Sequence, residues 1–581
     1  MRNKLKGQNG ITLVALVVTI IVLIILAGVS IAMLVGDNGI ITKAQEAKKD
    51  TEQAQQDELQ GLSSLETAIE EALGNVYNEE KGVNAPKLAE GMTPIKFTDP
   101  TESEKGTVVE TTSDDAEWYN YDEKKWANAQ TEDGSMWVWI PRFAYQMKED
   151  TQTFDVVFLI GTTDMYYDEN GQLQTAKRCT SEDEVVDTST GFTVHPAFTD
   201  ETAINYRNGG WDKEITGIWV AKFEAGYASG NNDAEVVASS VSYTQTTSWV
   251  ADVESGEIHT GGGDNYTARN WLDGVYGSTI TTIKYPVFQP LTYSMNYINH
   301  SDAYNIAKTL SESGNTYGFN RATDSHLMKN SEWGAIAYLS KSQYGLGITD
   351  ITVNNISLNS GGAARSSNAG KTGVESVYGV TGCTTNSATS ETKITSIENI
   401  NRTIGNTASD GVYTWNQLTG TSASCTGTIY GIYDLSGGLW ERTTGYVANG
   451  KSQLKDYGAS IAYEGDTLRT MSTKYTTVYP HNSSYDNIDI SDTDENLSTA
   501  SENNWIANGL IYGDAIRETS MAGTGNNSWY NDASNFPGLY GPFTVRGGRF
   551  HDGASAGLFF FYRPYGYSTP TSGFRAVVIV P

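Results

Sequence analysis

The 581-residue chain carries a formal net charge of -30 and is long enough to bury a full core in one or several domains. That charge excludes a nucleic-acid partner, because phosphate binding needs a basic face and counterion release. Three cysteines with no C-x-x-C pair exclude a disulfide scaffold, and six scattered histidines form no zinc spacing, so no cofactor is implied. The 59 glycines, 34 tyrosines and 13 tryptophans, with abundant Ser, Thr and Asn, predict a turn-rich β protein with many aromatic anchors.

Residues 1–10 form a short tail with Arg2, Lys4 and Lys6. From Ile11 to Val35 no residue is charged, and at about 1.5 Å per residue this run spans a bilayer core. It exceeds the roughly 7–15 apolar residues of a cleaved signal, so a transmembrane helix over 11–35 is predicted, with the membrane as partner. Lys43, Lys48 and Lys49 bring the positive-inside count close to even; the bulk is placed outside the cell because a ten-residue tail is a poor functional end. After Gly36-Asp37-Asn38-Gly39 a helical stem is expected over 36–75, where Leu62, Leu65, Ile69 and Leu73 make one apolar stripe. Residues 76–133 read as a linker and lead-in segment.

Over 134–581 short alternating runs separated by Gly, Asn, Ser and Thr clusters take over. Trp137 to Phe143 (one strand, ended by Pro141), Gly217 to Ala225, and Phe574 to Val580 read as strands. Thr292 to Thr309 and Asn330 to Leu339 read as helices, while 226–284, 345–428 and 445–505 show no period and read as insertions. Asp168-Glu169-Asn170-Gly171 reads as a turn, with a structural calcium as its alternative.

Four phrases stand in an order that resembles formylglycine-generating-enzyme-like domains. They are the WVWIPRF run, the segment from Arg321 to Leu339, Tyr430 to Glu441 (similar to "GLYDMsGNVWEW"), and Arg546-Gly547-Gly548 followed by Gly573-Phe574-Arg575 (similar to "RGGSW…GFR"). The resemblance implies an α+β, C-type-lectin-like fold with long irregular loops over 134–581, preceded by a long N-terminal α-helix. Trp440, Arg546, Gly547, Gly548, Phe574 and Arg575 are then structural, the arginines pinning loops through bidentate hydrogen bonds. Those enzymes bind copper through a cysteine pair near the closing segment. Here no cysteine lies between Arg546 and Pro581, so the chemistry does not carry over and no catalytic residue is expected. At the other end, Lys6 to Val14 resembles a type IV prepilin N-terminus. It would be cut after Gly10 to leave Ile11 first, but Ala15 stands where the family has Glu.

The segment from Arg549 to Pro570 concentrates aromatic and cationic residues. Alternation turns Phe559 and Phe561 to the core and Phe560 and Tyr562 to the other face, and exposed Tyr, Phe and Arg are the composition of binding hot spots. This layout resembles the variable proteins of diversity-generating retroelements, whose C-type-lectin-like domain ends in a segment rewritten by adenine-directed mutagenesis. By that resemblance 546–575 is the variable segment, and Arg549, His551, Asp552, Ser555, Phe560, Tyr562, Arg563, Pro564, Tyr565 and Tyr567 contact ligand. The expected function is a binding protein or adhesin anchored at the cell surface of a Gram-positive bacterium, recognising a protein or glycan. The alternatives are a minor pilin whose partners are other pilin-like subunits and, behind it, an enzyme of the formylglycine-generating type.

Overall fold

Contiguous apolar runs build the centre of the molecule. In the computed structural model the described residues are Val18, 76–178, 188–200, 208–226, 286–296, 298–359, 377–387, 390–485, 487, 494–509, 511–567, 569 and 571–580. The principal strands before the helices are β1 (Thr93–Phe97), β2 (Val108–Glu110), β3 (Asn128–Gln130), β4 (Met136–Pro141), β5 (Phe143–Lys148), β6 (Thr153–Phe158), β7 (Met165–Tyr167), β8 (Leu173–Thr175) and β9 (Gly217–Ala221). They are followed by β10 (Asp324–Leu327), β11 (Trp440–Val447), β12 (Thr477–Tyr479), β13 (Phe543–Gly547), β14 (Gly557–Tyr562), β15 (Ser572–Phe574) and β16 (Ala576–Ile579). The helices are α1 (His300–Lys308), α2 (Asn330–Ser340), α3 (Ile397–Asn401), α4 (Ser452–Ala462) and α5 (Asp494–Ala507).

A seven-stranded sheet runs β10-β16-β9-β4-β3-β1-β2. Each neighbouring pair is antiparallel. Its middle strands carry MWVWIP, GIWVA and AVVI, and every residue in them is buried, as expected of apolar runs covered on both faces. Trp139 and Trp219 stand opposite each other across β4 and β9 with ring centroids 5.3 Å apart. A second sheet runs β12-β11-β13-β14, and β15 lies parallel to the start of β11. Helix α2 is buried along its whole length, and the Trp333 indole donates to the Leu558 carbonyl at 2.7 Å, which seats β14 on the core.

Arg575 lies between β15 of the second sheet and β16 of the first. Its guanidinium, fully buried, donates to both oxygens of Glu441 on β11 and to the carbonyls of Ala221 on β9 and Tyr433 at 2.7 Å each. One side chain thus joins both sheets.

Two expectations are corrected. The regular elements of the described residues are mostly strands rather than those of an α+β fold with a long leading helix: their α-helices are five in number and the longest, α5, has 14 residues. The apolar stretch starting at Thr292 illustrates why. Its first part is extended, with Tyr293 bridged to Val380, and only His300–Lys308 coils, capped by the Asn299 side chain on the Asp302 amide. Among the described residues no helix is long and apolar enough to cross a membrane, and this replaces the transmembrane assignment. At about 1.5 Å per residue even α5 falls short of a bilayer core, and its sequence is polar. Apart from Val18, the runs 11–35 and 36–75 lie outside the described residues. Two strands also end differently. The closing strand is split by Arg575 into β15 and β16, and the run from Gly217 ends as a strand at Ala221. Residues 76–133 supply β1, β2 and β3.

Substituting Arg575→Met is expected to leave Glu441 buried without its partner and to lower unfolding stability by about 3–5 kcal/mol, measurable as a fall in the urea midpoint. A second prediction concerns His326 on β10. It is fully buried, and its Nε2 lies 2.8 Å from Glu332 Oε1 and its Nδ1 3.2 Å from Asp324 Oδ1. Against the desolvation of full burial, the two carboxylates raise its pKa from 6.5 to about 9. A base with a raised folded pKa contributes stability that is complete below the unfolded value and lost as pH rises through the folded one. Urea midpoints should therefore fall more between pH 6.5 and 9 in the natural protein than in His326→Gln.

Candidate functional site

The hairpin β13–β14 and the edge of β11 carry the segment singled out by its aromatic content. Buried Arg546 on β13 fixes the hairpin from behind. Its Nε donates to the Phe560 carbonyl at 2.9 Å, and Nη1 and Nη2 donate to the carbonyls of Asp514 and Ala515 at 2.8 and 2.9 Å. Gly547 and Gly548 then turn the chain out of the sheet at φ 83° and 79°. A Cβ added to Gly548 would sit 2.5 Å from Ala556 Cβ, so the closed loop between β13 and β14 requires glycine there.

Along β14 the side chains alternate. Phe559 packs with Trp529 and Tyr530, and Phe561 with Phe536 and neighbours from β11 and β12. Phe560 and Tyr562 turn the other way and meet Trp440, the first residue of β11. The Tyr562 ring lies 4.9 Å from the indole at 22°, and Phe560 lies 6.4 Å from both. Arg549 completes the stack: its guanidinium carbon is 3.9 Å from the Trp440 ring centroid. Asp552 holds two members together, since Oδ2 accepts from Trp440 Nε1 at 2.8 Å and Oδ1 from Arg549 Nε at 2.9 Å. Trp440, Tyr562 and Arg549 are all half-buried, and the Arg549 side chain keeps 27% of its exposure. The arrangement is a fixed, partly wet platform of cation, indole and phenol, suited to stacking and hydrogen bonding rather than bond cleavage.

The other candidates are placed as follows. His551 is exposed, edge-on to buried Phe550 at 5.0 Å; partial burial and then the Arg549 charge lower its pKa. Ser555 is half-buried and accepts from Asn526 Nδ2 at 3.2 Å. Phe560 is only 2% exposed and lies beneath the platform. Arg563 is turned onto α5, where Nη1 donates to the Leu497 carbonyl at 2.7 Å and to Ser501 Oγ at 2.6 Å. Pro564 and Tyr565 are half-buried, and Tyr567 is 41% exposed. Tyr565 and Tyr567 have centroids 5.9 Å apart, and Tyr567 meets Tyr457 of α4 at the same distance. Gly566, at φ 103°, shapes that loop, since a Cβ there would lie 2.4 Å from the Phe543 ring. Buried Arg442 donates to the Tyr567 carbonyl at 2.6 Å.

Arg549, Asp552, Phe560 and Tyr562 therefore gather on Trp440, while Tyr565 and Tyr567 form a separate patch with Tyr457, and Arg563 and Ser555 are engaged elsewhere. The sequence points to a structural role for Trp440, not a displayed one, and does not single out Tyr457. Beginning β11 opposite Ser572 places Trp440 on the hairpin's outer face, and no local pattern signals that pairing. Gly10 and Ile11 lie outside the described residues. Phe574 is buried in β15.

Cys383 and Cys425 are buried and unbridged, and burial pushes the Cys425 thiol up to about 12, so it stays protonated at neutral pH. Cys179 lies outside the described residues. Among the described residues no group of three or more His, Cys, Asp and Glu side chains could hold a metal ion. In the turn considered for calcium, Asp168 Oδ1 accepts the backbone amides of Asn170 and Gln172 at 2.9 and 2.8 Å. Comparison with protein-family models returns no matching family, and comparison with curated proteins returns no match.

The two faces of β14 should respond differently to truncation. Phe561→Ala is expected to cost about 3–5 kcal/mol of stability, whereas half-buried Tyr562→Ala should cost much less, about 1 kcal/mol, by urea denaturation.

Proposed function

We propose that this chain is a ligand-binding protein that recognises a protein or glycan through the face carried by Arg549 to Tyr567. The reading rests chiefly on the Arg549–Trp440–Tyr562 stack, in which three large side chains of hot-spot type are held in place yet left partly exposed. Rigid aromatics and a stacked guanidinium lose little rotamer freedom on contact, so such a face is pre-organised for binding. The segment combines residues packed inward, such as Phe559 and Phe561, with outward ones, such as His551, Tyr562 and Tyr567. That division suits a segment whose displayed side chains vary while its frame stays constant, the behaviour of a diversity-generating-retroelement variable protein. Recognition, with no bond made or broken, is the predicted chemistry.

The test is binding of the full-length protein to arrays of glycans and extracellular proteins, compared with the triple variant Arg549→Ala, Tyr562→Ala, Tyr567→Ala. Loss of hot-spot contacts should weaken any captured ligand by more than about tenfold. A variant with an unchanged near-UV circular dichroism spectrum that keeps every ligand at its original affinity would overturn the reading.

A further inference from the structure

The turn joining β7 to β8 holds a second kind of chemistry. We propose that Asn170 is a site of spontaneous, enzyme-free deamidation, set apart by the fold from the other Asn–Gly pairs among the described residues. In this reaction the Gly171 backbone nitrogen attacks Asn170 Cγ. The new N–Cγ bond forms, the Cγ–Nδ2 bond breaks, and ammonia leaves with the proton of the attacking amide. Water then opens the five-membered imide at either carbonyl, giving an aspartyl or isoaspartyl linkage with no change of oxidation state. Glycine at the following position matters because it has no side chain to shield the attacking nitrogen.

Among the described residues the Asn–Gly pairs are 170–171, 208–209, 449–450 and 508–509. Asn208 is 1% exposed, its amide donates to the Tyr512 carbonyl at 3.1 Å, and a Cβ on Gly209 would collide with Thr473. Asn449 donates to the carbonyls of Gly538 and Leu539 at 2.9 and 2.8 Å, and its Oδ1 accepts from the Lys451 amide. Asn508 is fully buried at the end of α5. In all three the amide cannot swing towards the next nitrogen without breaking packing or hydrogen bonds.

Asn170 and Gly171 are exposed, and a Cβ built on Gly171 would meet nothing within 4 Å. The turn caps a two-stranded ribbon in which every residue of β8 is exposed. Such a ribbon opens at little cost. What holds it is Asp168, whose Oδ1 accepts from the Asn170 and Gln172 amides and whose carbonyl accepts from Gly171 N at 2.8 Å. Asp168 is therefore the brake on the reaction. Conversion sets a new carboxylate directly after Asp168 and Glu169, and the isoaspartyl product lengthens the backbone at the ribbon's tip.

The experiment is peptide mapping by mass spectrometry of the full-length protein incubated in mildly alkaline buffer, with a parallel sample in denaturant. In the folded protein the Asn170 peptide should convert while those of Asn208, Asn449 and Asn508 remain unconverted; in denaturant all four should convert. The variant Asp168→Ala should convert faster at Asn170, and Gly171→Ala should stop conversion there. The proposal is overturned if Asn170 stays intact in the folded protein while the denatured sample converts. Equal conversion at all four sites in the folded protein, or an unchanged rate in Asp168→Ala, would equally contradict it.

Discussion

The buried pair of Arg575 and Glu441 is the contact on which the architecture turns. The two sheets share one short stretch of chain, from Ser572 to Ile579, and Arg575 sits at its crossover. A guanidinium there would be costly to bury alone, since desolvation of an ion amounts to several kcal/mol even after relaxation. Three hydrogen bonds to Glu441, two of them shared by the single Nε–H, and two to backbone carbonyls offset that cost and engage four of its five N–H groups. Because Glu441 directly follows Trp440, the same pair fixes the register of the strand that presents the platform indole.

Rigidity then passes outward through backbone contacts. Arg546 spends its donors on carbonyls, not carboxylates, clamping β14 to the turn at Asp514 and Ala515. Trp333 of α2 holds β14 at Leu558, and the Asp532 carboxylate accepts from the Phe559 amide at 2.8 Å. With the frame held through main-chain atoms and through Phe559 and Phe561, the outward side chains carry little of the fold's stability. A face built this way tolerates change at its displayed positions, which is the physical requirement for a segment that varies in its contacts.

Much of the frame was legible in the sequence because its signals are local. The runs WVWIP, GIWVA and AVVI are too apolar to be anything but buried, and NSEWGAIAYLS has the length and spacing of a helix. Two-residue alternation was enough to sort Phe559 and Phe561 from Phe560 and Tyr562. Pairing decided the rest. Phe560 turns outward as alternation requires yet is covered by Trp440, 440 being over a hundred positions away in sequence. Arg563 reads as a displayed cation until α5 arrives to accept its hydrogen bonds. The break at Arg575 was invisible because an arginine within an apolar run gives no hint that the chain changes sheets there. The overall class was misjudged for a related reason: helical spacing persists at residues such as Tyr293 and Ser294, which bridges to Val380 and Gly226 hold extended.

The most direct measurement is deep sequencing of the 3′ end of the gene across a natural population of the source organism. The account predicts coding changes concentrated at displayed positions such as Arg549, His551, Tyr562, Tyr565 and Tyr567. Arg546, Gly547, Gly548, Phe559, Phe561, Phe574 and Arg575, which hold the frame, should stay constant. An invariant segment, or changes spread evenly over frame and face, would contradict a diversified binding surface.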